Sequence, residues 1–250
     1  MADPVSSPLD RLLAIMVTLR DPVGGCEWDR AQSWATIAPY TIEEAYEVAD
    51  AVDRGDIGDV KEELGDLLFQ VVFQARIAEE AGLFAFNDVA TAIADKMVRR
   101  HPHIFGNADA RLDWETLKAA ERRTQGDPSA LAGVAAGLPA LLRAAKLQRR
   151  AARTGFDWPD ASGPRDKIVE ELQEVAEASS AELEEEVGDL LFAVVNYARH
   201  LGVDPEAALR LANGKFERRF RAMETLAGDA FTTLTLAEQE RLWQEVKKAG

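Results

Sequence analysis

The chain has 250 residues, 47% of them hydrophobic and 29% charged, enough to bury a sizeable core in one or two domains. Its net charge of -15 repels polyanions, so neither a nucleic-acid polymer nor an anionic membrane is expected as a partner; a small phosphate ligand stays open where metals or a few basic residues reverse the field locally. Aromatic residues are only 7% while Ala, Leu and Glu abound, which favours helices and an all-α fold.

From the N-terminus, MADPVSSPLD carries no basic and apolar leader, and no run of about 18 apolar residues follows it. Cys26 is the only cysteine, which excludes an intrachain disulfide and reads as a small buried residue in a reducing compartment. The expected location is cytoplasmic. Breakers then punctuate the chain: Gly55 and Gly58, Gly82, Pro102, a Gly- and Pro-bearing stretch at 123–139, Gly155 to Pro164, Gly202 to Pro205, and Gly228. The segments between them lack alternating β-branched runs and are predicted helices. His101 and His103 flank Pro102 and read as a helix terminator rather than as metal ligands.

The central helices repeat. Residues 62–76 read EELGDLLFQVVFQAR and residues 185–199 read EEVGDLLFAVVNYAR. Upstream, EEAYEVAD at 43–50 matches EELQEVAE at 170–177; downstream, KMVRR at 96–100 matches KFERR at 215–219, and Trp114 with Lys118 matches Trp243 with Lys247. The chain is therefore two tandem modules of about four helices each: 1–124, a linker at 125–139, and 140–250. Leu64, Leu67, Leu68, Val71 and Val72 form an apolar stripe, as do Val187, Leu190, Leu191, Val194 and Val195, and each is expected to face a core. Gly65 and Gly188 cost helix stability, and their recurrence points to close backbone approach.

Carboxylates follow the same repeat. Glu171 and Glu174 stand three apart on one predicted helix, Glu186 and Asp189 three apart on the next, and residues so spaced share a face. Two such pairs on antiparallel neighbours place four hard oxygen donors around one pocket, a set suited to Mg2+, with Mn2+ as a substitute. Glu44, Glu47, Glu63 and Asp66 repeat the arrangement in the first module. A solvated acidic face explains one such pair, but not two linked pairs in both halves.

E-E-x-x-E followed by E-x-x-D on the next helix resembles the signature of the all-α NTP pyrophosphatase superfamily, and the tandem arrangement resembles the MazG family. The likeness extends to LRDPVGGCEWDRAQSWATIAPYTIEEAYEV at 19–48, RRHPHIFG at 99–106, LPALLRAAKLQRRAARTGFDW at 138–158 and KFERRFR at 215–221. The resemblance implies Mg2+-dependent hydrolysis of nucleoside triphosphates (ATP and the other (d)NTPs, canonical or altered) between the α and β phosphates, a homodimer, and catalysis in the second module. One departure stands out: 11 residues separate Glu174 from Glu186, against 15 between Glu47 and Glu63, which shortens the second hairpin by about one turn.

The remaining candidates bind substrate. Lys215 and Arg219, four apart, suit the outer phosphates, and Trp243 offers a flat surface for a base with Lys247 one turn on. Lys167, Glu170, Glu182 and Glu185 lie beside the acidic set. Two rivals stay open: a dUTPase-like or phosphoribosyl-ATP specificity, and a nucleotide- or metal-binding regulator without turnover.

Overall fold

The computed structural model describes residues 7–106 and 129–249; Trp114 and Lys118 lie outside the described residues. The chain divides into two compact units, Met1–Leu117 and Lys118–Gly250, and among the described residues there is no strand. None of the described helices is long and apolar enough to cross a membrane.

In the first unit, α1 (Pro8–Leu19) starts at a capping box in which Ser7 and Asp10 satisfy each other's backbone amides. A short α2 (Glu27–Ala31) leads to α3 (Trp34–Arg54), which Gly55 ends in the left-handed conformation at φ 72°. Asp56 then caps α4 (Ile57–Glu80), so α3 and α4 form a tight antiparallel hairpin. α5 (Phe86–Arg100) follows, and His101 both ends it and precedes Pro102 at the start of α6 (Pro102–Phe105), as the terminator reading requires. Met16, Ile37, Val72 and Phe73 form the core of this unit. Arg20, beside that core, grips Glu80 with three hydrogen bonds of 2.7–3.0 Å and lays its guanidinium 5.4 Å from the Phe73 ring centre.

The second unit repeats the plan. α7 (Ala140–Ala152) precedes the hairpin of α8 (Ser162–Glu177) and α9 (Leu183–His200). Asp204 caps α10 (Pro205–Ala227), a 3-10 turn spans Gly228–Thr233, and α11 (Leu236–Ala249) folds back on α10. The hairpin is shorter than its counterpart at both sides of the tip, as the spacing of the carboxylates requires. Residues 129–139 are not a free tether. Ala132 is buried, and its carbonyl accepts from Arg150 on α7.

Three expectations are corrected. The apolar stripes are only partly covered by the described residues: Leu64, Leu68, Val71, Val187, Leu191 and Val194 are exposed, Leu67 and Leu190 are half-buried, and Val72 and Val195 are each 1% exposed. One layer of helices has too little cover for both faces of the hairpin. Gly65 and Gly188 are not sites of close approach, because an added Cβ at either meets no atom of the described residues within 4 Å. Cys26 is exposed, not buried, because it precedes α2 on a surface turn.

Phe73 contacts Trp28, Phe69 and the Arg20 guanidinium from different sides. Phe73→Ala is expected to cost about 3–5 kcal/mol by leaving a cavity the helices cannot collapse into, read as an earlier urea midpoint for the first unit.

Candidate active site

On α8, Lys167, Glu171 and Glu174 fall on one face by i, i+4 and i+3 spacing. Glu186 stands in the first turn of α9, across the hairpin. One oxygen each from Glu171, Glu174 and Glu186 comes within 4.8 Å of the others. Asp189, one turn further along α9, is exposed at the wall of an adjoining cavity. In the first unit the corresponding cluster is Glu44, Glu63 and Asp66, also within 4.8 Å of one another. Glu47 lies against it: burial, then the charges of Asp66 and Glu47, pushes Glu44 above the usual carboxylate range.

Glu171 is the most constrained of these acids. It is 3% exposed, and its Oε2 is buried without a hydrogen-bond partner. Its Oε1 receives Lys167 Nζ at 2.7 Å. The same ammonium lies 2.7 Å from Glu170 and 3.9 Å from Glu174. Those hydrogen bonds hold Lys167 above the ordinary lysine range. A hydrogen bond shared with Glu171, followed by burial, raises Glu174. One ammonium among three or four carboxylates leaves net negative charge and an orphaned anionic oxygen. That donor set, all oxygen and partly buried, fits a divalent cation such as Mg2+.

The cavity beside the nest measures about 490 Å³. Its lining includes Lys167, Glu171 and Asp189 beside the nest, apolar walls from Leu147, Phe156, Trp158, Phe192 and Ala193, and Asn196, Arg199 and Asp157 from α9 and the loop before α8. Gly163 makes this arrangement possible, since any Cβ there would overlap the Trp158 ring. Arg199 donates to both Asp157 oxygens, and His200 Nε2 lies 3.0 Å from the same carboxyl. The sequence did contain the string GFDW before α8, but only the fold joins Asp157 to Arg199, 42 residues away.

The repeat register pairs Asn196 with Phe73 and Ala193 with Gln70. Where the second unit lines a cavity with Asn196, the first buries Phe73 to 1% exposure. A hollow of about 160 Å³ in the first unit is lined by residues such as Leu13, Met16, Val72 and Arg76, and by none of the clustered carboxylates.

The other expected ligands sit elsewhere. Trp243 packs 5.6 Å from Phe216, with the Arg219 guanidinium 5.8 Å from its ring. Lys215 and Lys247 are exposed on α10 and α11, and none of these four residues lines the cavity. Glu182 accepts from Ser179 Oγ and N at 2.7 and 3.1 Å, which lowers its pKa, and so holds the turn before α9. Glu185 is exposed in the first turn of α9.

The described residues of the second unit thus form an all-helical fold with a carboxylate nest on a hairpin beside a largely apolar cavity. The MazG nucleotide pyrophosphohydrolase domain matches residues 32–105 and 164–223. The chain is 51% identical to a nucleoside triphosphate pyrophosphohydrolase of Escherichia coli, over 96% of this chain and 97% of that protein. It is 44% identical to the nucleoside triphosphate pyrophosphohydrolase/pyrophosphatase MazG of Thermotoga maritima, over 95% of each. It is 43% identical to the Bacillus subtilis protein YabN, over 94% of this chain and 50% of that one. The chain belongs to the MazG family.

The Arg199 guanidinium, then its partner His200, holds Asp157 down from 3.8 to about 2. A depressed carboxyl contributes stability above its unfolded value and loses it as pH falls through the folded one. Asp157→Asn is therefore expected to cost about 2 kcal/mol at neutral pH. The gap from the unaltered chain should close as pH falls from about 4 towards 2, measured by denaturant titration across that range.

Proposed function

We propose that the second unit hydrolyses nucleoside triphosphates to the monophosphate and pyrophosphate. The observation that carries this reading is the adjacency of the nest and the cavity: Glu171 and Asp189 border the 490 Å³ space, and Glu171 belongs to the cluster with Glu174 and Glu186. The names of the Escherichia coli and Thermotoga maritima relatives support the same substrate class.

Glu171, Glu174, Glu186 and Asp189 would hold Mg2+, which when bound neutralises phosphate charge and acidifies water. The chain's own groups divide the remaining work. Glu171, pinned by burial and by Lys167, fixes the nest's position on α8. Lys167 lines the cavity with its ammonium engaged by acids, free to turn to a phosphate oxygen once those acids find another cation. Trp158 and Phe192 supply apolar walls that exclude water from one side of the nucleoside. Cleavage is assigned to the α–β bond, because the base in the cavity draws the α-phosphate, rather than the γ, to the nest. Lys215, Arg219 and Lys247 are assigned to the outer phosphates, with Trp243 carrying the Arg219 guanidinium 5.8 Å from its ring. The first unit keeps Glu44, Glu47, Glu63 and Asp66 but fills the place of Asn196 with Phe73, so turnover is assigned to the second. The exposed Leu64, Leu68, Val187 and Leu191 are assigned to a homodimer interface.

Glu171→Gln should lower Mg2+-dependent pyrophosphate release on the order of a hundredfold or more, while Glu44→Gln should leave most of it. Equal losses from the two changes would reject the assignment to the second unit. In ¹⁸O water, label belongs in the monophosphate; formation of the diphosphate and orthophosphate would overturn the bond assignment. Nucleotide-dependent stabilisation without any pyrophosphate would favour a regulator instead.

A further inference from the structure

The segment that the sequence marks as a linker reaches the cavity of the second unit. Leu131 lines that cavity together with Leu147, Gln148 and Ala151 of α7. Its backbone is held on both sides. The Leu131 amide donates to Ser129 Oγ at 3.1 Å, and its carbonyl accepts from the Val134 amide at 3.4 Å. The Ala132 amide donates to the Ser129 carbonyl at 3.1 Å, and Gly133 turns the chain at φ 69°. Ala132 itself is buried, and Arg150 of α7 donates to its carbonyl. The helix that lines part of the cavity therefore also fastens the strap that carries Leu131.

Leu131 lines this space and yet stays 43% exposed. Trp158, also 43% exposed, and Phe156, 81% exposed, combine the same two properties. Three large apolar side chains from two separate segments thus border one cavity of about 490 Å³ and leave much of their surface in water. Apolar surface gathered at a concave opening is what a ligand with an apolar body covers. A phosphate cannot cover it without losing its own hydration, whereas the faces of a base and the carbon skeleton of a sugar can.

We propose that Leu131 is a nucleoside-contacting residue, so that the segment entering the second unit is part of its binding surface and not only a spacer. The inference rests on the reading of this cavity as the nucleoside site. The contact is made to the nucleoside and not to the reacting phosphates. It therefore holds the ground state and the transition state alike, and its loss falls on KM and not on kcat.

The test is steady-state pyrophosphate release from ATP by the full chain with Mg2+. Leu131→Asp sets a hydrated carboxylate among the apolar walls and should raise KM about tenfold or more, with kcat and Tm little changed. Leu131→Met keeps an apolar side chain of similar volume and should hold KM within about twofold. Ala135→Asp adds the same charge at an exposed position of the same segment that does not line the cavity, and should leave KM unchanged. An unchanged KM in Leu131→Asp, a loss confined to kcat and Tm, or an equal rise in KM from Ala135→Asp overturns the proposal, while release that Glu171→Gln abolishes leaves the nucleoside site standing. Release that Glu171→Gln does not reduce removes the site and the proposal together. Where Leu131→Asp folds poorly, the KM of Leu131→Ser decides in the same sense.

Discussion

Carboxylates gathered within 4.8 Å of one another repel, and both units are arranged around that repulsion. In the first, it helps lift two carboxyls above their ordinary range. Burial and neighbouring charge raise Glu44 and Glu63, and Gln70 lends Glu44 a hydrogen bond of 3.4 Å. In the second, a cation is brought in. Lys167 stands one turn before Glu171 on the same face of α8 and is shared among Glu170, Glu171 and Glu174. The tight hairpins face these acids across from one another; Gly55 and Asp56 cap the helix ends at the first tip, and Ser179 with Glu182 ties the second.

The duplicated sequence has diverged where the first unit needs a core and the second needs space. Phe73 and Asn196 occupy equivalent positions, yet one is wrapped by aromatic rings and a guanidinium while the other is held by Arg199 at the edge of a cavity. Gln70 and Ala193 differ in the same direction, with a long side chain where the first unit closes and a methyl where the second opens. Identical acids thus serve units with different internal volumes.

Helices, their pairing and three of the four acids expected to gather in each unit were legible in the sequence because each depends on local spacing: 3.6-residue periodicity, i and i+3 pairs, and an internal repeat. What covers a face was not. Periodicity marks Leu64, Leu68, Leu191 and Val194 as one-sided without saying what meets that side, and they are exposed in the single chain. The Gly65 and Gly188 reading failed for the same reason, since recurrence in a repeat reports common descent as readily as contact. The cavity was out of reach because Phe156, Asp157 and Trp158 lie in a loop with no period, and their partners on α9 are set by tertiary packing.

Lys167 gives the second nest a counterion of its own. A divalent cation entering there competes with an ammonium already bonded at 2.7 Å, so stray ions are held less tightly than by bare carboxylates. On the proposed chemistry, the displaced ammonium remains tethered beside the arriving phosphates. Metal and nucleotide then each strengthen the other's binding by the same factor, as thermodynamic linkage requires. A site of this kind stays quiescent with either ligand alone and commits only when both arrive.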